Sequence, residues 1–322
     1  MSIKALIPRF YRGEIDLEAI AILLNNTESA NQFHEWPSPA EMLMQFEDPS
    51  VDKQRDICLW EDGHSQLVAI VGLMIPEMGE DIAGILWFRV NPQTQGHNLE
   101  TQILEWGEQR MGEVGRERNV KVKVLSGGHS DNVERIALLE SCGFKIEQYF
   151  LTMERALTKP IPKAKWPEGF TLKHIDNEAD AEAWAEMFNQ TSIDHWNHQD
   201  ITVESVKNKL NDPKYQPELS LVAVAPDGTF AAFCNCQIHP ENNELNGRKD
   251  GLIYMLVTRR GFRKRGLGRG ILLSALKLWK AEGMEMAMLY VDADNLLGAT
   301  RLYESVGFGR VDTHIAYQKE IL

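Results

Sequence analysis

Residues 253–279 read IYMLVTRRGFRKRGLGRGILLSALKLW. An apolar run ends at Val257, and Leu272, Ala275, Leu276 and Trp279 repeat at helical spacing. Between them lie six basic residues, Arg259, Arg260, Arg263, Lys264, Arg265 and Arg269, and four glycines, of which Gly266, Gly268 and Gly270 are spaced two apart. The order is strand, basic glycine turn, helix. Glycines let backbone N–H groups approach an anion. The first helical turn adds unsatisfied N–H groups and the positive end of the helix dipole, and guanidinium groups add forked donors. Together these make a pyrophosphate cradle. The whole chain carries a formal net charge of −13, so this basic knot is a local device for a small polyphosphate and not a nucleic-acid surface.

Two common phosphate motifs are excluded. In a Walker A loop the second glycine precedes Lys, whereas Gly266 precedes Leu267. The dinucleotide fingerprint needs a third glycine where Ile271 stands. What remains is R-x-x-G-x-G over Arg263–Gly268.

Outward from this stretch, the second half reads as a strand at 170–175, helices at 176–190 and 201–211, and a hairpin at 219–238 around Pro226-Asp227-Gly228. The strand and helix of the opening stretch follow, then a strand at 286–291, a helix closing at Gly307 and a strand at 313–322. The order βααβββαβαβ predicts a mixed sheet with helices on its faces. The first half shows a similar plan, with strands at 56–60, 66–75, 82–90 and 120–125 and helices at 98–114 and 132–142. "LLESCGF" at 138–144 matches "LYESVGF" at 302–308, each with an Asp-Asn pair upstream, which argues for tandem copies of one fold. The three prolines and three lysines of 157–170 read as a linker. The expected division is 1–157, a linker at 158–169 and a second domain at 170–322.

Composition sets the outer bounds. With 43% hydrophobic and 25% charged residues and no apolar run of membrane-spanning length, the 322 residues predict a soluble two-domain protein without a membrane partner. The start of the chain lacks signal-peptide features, so a cytoplasmic location is expected. Four cysteines give no disulfide framework; Cys234 and Cys236 share one face of a strand and read as structural thiols.

The strand "IYMLVTRR", the loop "RKRGLG", the long helix after it and the block "LYVDADNLLGATRLYESVGF" together resemble the GNAT (GCN5-related) N-acetyltransferase superfamily. The tandem layout resembles that of mycothiol synthase, with a degenerate first half and a catalytic second half. The resemblance implies an α/β (α+β) chain of two GNAT-like domains, each a mixed, mostly antiparallel sheet flanked by helices. It implies acetyl-CoA as cosubstrate and a small-molecule amine as acceptor. Backbone groups of Met255, Leu256 and Val257 would pair with the pantetheine arm. Arg263, Lys264, Arg265, Gly266, Leu267, Gly268 and Arg269 would hold the pyrophosphate, and Asn295 would contact the arm or an adjacent water.

Tyr303 stands at the family position of the general acid, where a phenol protonates the departing thiolate. The position where many relatives carry a basic Glu is Leu252, so Asp250, two residues earlier on the same strand face, is the named base, with His239, Glu241 or a water-relayed group as alternatives. His195 and His198 form H-x-x-H in a segment that lines the acceptor site in relatives, but spacing places no third ligand, so no metal is assigned. In the first half, 93–98 (QTQGHN) lacks the basic cluster and Leu139 aligns with Tyr303, which predicts a half without catalysis. A non-catalytic acyl-CoA-binding module is the rival reading, favoured by Leu252 and opposed by Tyr303. Oligomeric state has no signature in the sequence.

Overall fold

In the computed structural model, residues 6–28, 46, 51–76, 81–94, 98–192, 200–211, 215–245, 247–294 and 298–321 are described. The chain divides into two compact units, Met1–Phe150 with Thr313–Leu322, and Leu151–Asp312. Sequence expectation put 313–322 with the second domain; contacts group these residues with the first unit.

In unit 1 the sheet order is β1 (Ile7–Phe10), β2 (Ile57–Glu61), β3 (Leu67–Met74), β4 (Asp81–Val90), β5 (Lys121–His129) and β12 (Gly309–Ile321). All neighbours are antiparallel except β4 and β5. Helices α2 (Leu99–Arg118) and α3 (Val133–Ser141) share a core with Val71, Leu86, Val124, Ile315 and Tyr317. Helix α1 (Glu14–Glu28) packs Ile20, Leu23 and Leu24 with Leu59, Ile70 and Trp87, which alternate along their strands with the residues of the first core.

Unit 2 repeats the plan. Its order is β6 (Lys145–Ala156), β11 (Met286–Asp292), β10 (Asp250–Thr258), β9 (Phe230–Gln237), β8 (Ser220–Val224) and β7 (Thr171–His174). Again a parallel pair, β10 with β11, adjoins antiparallel ones, β10 with β9, β9 with β8 and β8 with β7. Helices α7 (Leu267–Ala281) and α8 (Ala299–Ser305) cover one face; Leu272, Ala275, Leu276 and Trp279 are wholly buried, as their spacing predicts. Helices α4 (Ala181–Ser192) and α5 (Val203–Leu210) supply Trp184, Met187 and Val206 to the core on the opposite face. The Thr202 side chain caps α5 by accepting from Ser205 N–H at 3.0 Å. A short helix, α6 (Pro240–Leu245), follows β9.

The repeated sequence block is a repeated helix terminator. At α3, Gly143 N–H donates to Glu140 O and Phe144 N–H to Leu139 O, both at 3.0 Å. At α8, Gly307 and Phe308 make the same bonds to Glu304 O and Tyr303 O at 2.9 and 3.1 Å. Both glycines are left-handed, and both phenylalanines are buried. This is the Schellman pattern with its apolar lock.

The predicted linker is not a free tether. Leu157 is buried and donates its N–H to Glu285 O, Trp166 packs on Gly270, and the buried Arg155 donates to Pro160 O and Val306 O. These contacts lie within unit 2. Strands β1 and β6 and helices α1 and α6 were not read from the sequence.

Candidate active site

The site begins where two parallel strands part. β10 pairs with β11 from Asp250–Met286 to Ile253–Leu289 and no further, although β10 runs on to Thr258 and β11 to Asp292. Met255, Leu256 and Val257 pair with β9 on one edge only. Their other edge presents backbone groups to the gap, as an extended ligand arm requires. A bulge between Ile253 and Met255 turns β10 at this point and leaves Tyr254 61% exposed. The start of β10 is pressed against α7: a methyl group on Gly251 would lie 2.4 Å from the Trp279 ring.

The basic loop follows. Lys264 and Gly266 are both left-handed, with φ of 61° and 88°, and Gly266 is the N-cap of α7 without a side-chain cap. The first intrahelical bond runs from Gly270 N–H to Gly266 O, so the N–H groups of the opening turn have no intrahelical acceptor. A side chain on Gly266 would meet nothing within 4 Å, which marks open space in front of that turn. These features fit a pyrophosphate: donors, positive charge and room.

Several basic side chains are already engaged. Arg259 pairs with Glu186 at 2.6 Å, Arg263 donates to Thr258 O at 3.0 Å, Arg269 donates to the Ser305 carbonyl at 3.2 Å, and Arg265 stacks on Phe262. Lys264 and Arg265 are exposed at the tip. Leu267 is buried in the α7 core, so its part in the cradle is its backbone. Asn295 lies outside the described residues, as do His195 and His198.

Tyr303 is buried, with Phe308 edge-on at 5.9 Å between ring centroids. Burial first, then nearby Cys234, raises its phenol well above the usual range. It keeps its proton at neutral pH, the form a general acid needs. Cys234 and Cys236 are buried with their sulfurs 3.7 Å apart; each other's proximity and burial push the Cys234 thiol far up, which makes it inert. Asp250 is bonded to Arg248 at 2.5 Å, and Arg248 also donates to Glu154 at 2.7 Å. The carboxylate expected as base is therefore tied into an ion-pair triad at the start of β10.

Unit 1 holds the matching gap. β4 pairs with β5 from Asp81–Lys121 to Ile85–Leu125 and then parts from it. Here the gap is filled. Arg135 of α3 donates to Gly127 O and Ser126 Oγ, both at 3.1 Å, with its guanidinium carbon 3.6 Å from the Phe88 ring centroid. Ser126 Oγ donates in turn to Leu86 O at 3.0 Å, tying β5 to β4. Any side chain on Gly128 would meet Arg135 Cγ at 2.8 Å, so this glycine makes way for the arginine, while Gly127 makes way for His314 and the Ile315 carbonyl. Sequence reasoning missed Arg135. The signal was present: it lies four residues before Leu139, where the second half has Ala299, four before Tyr303.

A parallel strand pair that splays over a glycine-rich cradle at a helix N-terminus defines the fold of GCN5-related acetyltransferases. The comparisons agree. Residues 181–308 match the acetyltransferase (GNAT) family. The mycothiol acetyltransferase of Kineococcus radiotolerans is 30% identical over 232 residues, 69% of this chain and 73% of that one. That of Thermobispora bispora is 30% identical over 191 residues; the match takes in 59% of this chain and 64% of the relative's length. A GCN5-related N-acetyltransferase from Sphaerobacter thermophilus superposes with a TM-score of 0.75 at 24% identity, covering 98% of this chain and 96% of that one. The chain belongs to the GNAT acetyltransferase family, a family of acyl-transferring enzymes, and carries two copies of its fold.

Proposed function

We propose that the chain is an acetyl-CoA-dependent N-acetyltransferase that acylates the amine of a small molecule, with all chemistry in unit 2. One observation carries the reading: the strand gap, the open cradle at Gly266 and a protonated, buried Tyr303 belong to the same unit. The relatives named for mycothiol support a small-molecule acceptor.

Acetyl-CoA supplies the activated acyl group. The N–H groups of Gly266, Leu267, Gly268 and Arg269, with Lys264 and Arg265, would bind its pyrophosphate. Met255, Leu256 and Val257 would align the pantetheine arm by strand-like hydrogen bonds, and Asn295 would stand beside it. Tyr303 donates its phenolic proton to the departing sulfur. The expected outcome is release of thiol when acetyl-CoA is incubated with primary amines such as glucosamine, cysteine amide, spermidine and a short peptide. Binding of CoA without thiol release for any of them would leave a binding module and sink the transferase reading.

A further inference from the structure

One buried cation of unit 2 has no place in the cradle. Arg155, near the end of β6, is 3% exposed, and its guanidinium bonds only main-chain oxygens. Nε donates to Val306 O at 2.7 Å, and the two terminal nitrogens donate to Pro160 O at 2.8 Å and Ala156 O at 3.1 Å. Burial lowers this guanidinium from its ordinary range, and no carboxylate among the described residues raises it. A charge is tolerated in such a place only where fixed dipoles replace its water. Here one of those dipoles closes α8, the helix that carries Tyr303.

α8 has seven residues, too few to hold a helix by themselves. Its last carbonyls lack intrahelical donors, and two guanidinium groups supply them. Arg269 of α7 donates to Ser305 O, and Arg155 to Val306 O. Positive charge suits this end of the helix dipole. A single residue then joins Arg155 to the phenol-bearing one. Val306 N–H donates to Tyr303 O at 3.1 Å, while the Val306 carbonyl is held by Arg155. Phe308 N–H donates to the same Tyr303 oxygen at 3.1 Å, and its ring lies edge-on to the Tyr303 ring.

Unit 1 repeats the terminator without this clamp. β12 stands beside β5 as β6 stands beside β11, and Lys319 lies against Gly143 as Arg155 lies against Gly307. Lys319 is half-buried and turns elsewhere: it bonds Glu108 of α2 at 2.6 Å, with its ammonium 5.7 Å from the Phe144 ring centroid. α3 therefore ends on the same Gly-Phe bonds with an ordinary ion pair beside them. Closing the helix does not require a buried arginine. The half with Leu139 has none at this point, and the half with Tyr303 has one fixed by three bonds.

We propose that Arg155 is a positioning residue of the acyl-transfer site: by holding the Val306 carbonyl it fixes the end of α8 and so aims the Tyr303 phenol. The inference rests on the acetyl-transfer reading above. Arg155 acts through Val306 and the main chain of Tyr303. Its loss therefore misplaces the acid and leaves the cradle donors of 266–269 as they are.

The test is a double-mutant cycle in the full chain, with acetyl-CoA and the fastest amine of the panel. Arg155→Met keeps an unbranched stem and removes the donors. Its kcat is expected to fall about tenfold, with KM for acetyl-CoA and the calorimetric affinity for CoA within about twofold of the parent. In the Tyr303→Phe background the same change should cost less than about twofold more, because residues that act as a unit are not additive. Lys319→Met, the matching change in unit 1, should leave kcat within about twofold of the parent. Arg155→Lys keeps the charge and loses the fork; it serves as the second variant should Arg155→Met fail to fold, with a loss of about threefold expected. An unchanged kcat in the Arg155 variants, a full further loss in the Tyr303→Phe background, a CoA affinity that falls in step with kcat, or an equal loss in Lys319→Met would each overturn the assignment. A parent chain that turns over no amine overturns the transfer reading itself, and a Tyr303→Phe chain as fast as the parent overturns the role of the phenol; this inference falls with either.

Discussion

The two strand gaps are built alike and meet opposite fates. Each opens where a parallel pair parts, after Ile85–Leu125 in unit 1 and after Ile253–Leu289 in unit 2. Each is backed by a glycine pressed against the long helix: a methyl group on Gly84 would lie 2.4 Å from Met111 Sδ, and one on Gly251 equally close to Trp279. In unit 1 Arg135 fills the gap with two hydrogen bonds and a ring contact, and Leu139 stands where unit 2 has Tyr303. In unit 2 the corresponding helix residue is Ala299, too short to reach across. A fold can thus be kept whole while its site is closed, because a buried polar gap need only find donors and acceptors, from the chain or from a ligand.

The change with the largest expected effect is in the cradle. Gly266→Asp puts a carboxylate and a strained backbone where the anion would sit, since φ there is +88°. Calorimetry should show one CoA site per chain in the parent and none in the variant. Two equal sites in the parent would break the comparison. Next comes Tyr303→Phe, which removes only the hydroxyl. Turnover is expected to fall about 10²-fold with CoA affinity unchanged, and an unaltered rate would return Tyr303 to the role of Leu139, a packing residue.

The glycine pair sharpens the comparison at the level of stability. Gly251→Ala drives a methyl group into a rigid indole and should cost about 1–3 kcal/mol in denaturant melts. Gly84→Ala should cost less, because a thioether moves aside where Trp279 cannot. Equal losses would mean that the two helices have the same freedom to shift.

Arg135→Ala is a subtler case. It opens the first gap without supplying a cradle, as 92–98 (PQTQGHN) contains no Lys or Arg. The expected result is slight destabilisation and no second CoA site by calorimetry; a new site would show that the plug alone separates the two halves.

The smallest effect is in alkali. Burial lifts the Cys58 thiol of unit 1 and the Tyr215 phenol of unit 2 each to about 12. Both hold their protons longer in the folded chain than in the unfolded one. Stability should therefore decline with rising pH, beginning near ~8.5 for the thiol and ~10 for the phenol. Thermal melts of Cys58→Ala and Tyr215→Phe should each flatten their own part of that decline.

Much of unit 2 was legible because its signals are local. The α7 stripe, the Thr202 cap, the Pro226-Asp227-Gly228 turn and the Gly307 terminator each depend on a few adjacent residues. The glycine turn at the start of α7 was legible for the same reason. The ion pair that occupies Asp250 was not, since Arg248 acquires its second partner, Glu154, from a strand nearly a hundred residues earlier. Strand β6 was hidden by charged residues within "KIEQYFLTMERA", where only Leu151, Thr152, Met153 and Arg155 are buried. The plug was hidden because an arginine on a helix reads as a solvated charge until Phe88 and Ser126 are brought to it from other strands.

The last strand carries a consequence for synthesis. His314–Ile321 pair with β5, and Ile315 and Tyr317 are buried in the unit 1 core, where the Tyr317 hydroxyl reaches Glu140. These residues leave the ribosome only after all of unit 2 has been made. A nascent unit 1 therefore exposes one edge of β5 for the time it takes to translate Leu151–Asp312. Unit 2 has no such wait for its own first strand, since Leu151–Ala156 precede the rest of it. Unit 2 can close its core first, and unit 1 is completed last, by a contact spanning nearly two hundred residues of sequence.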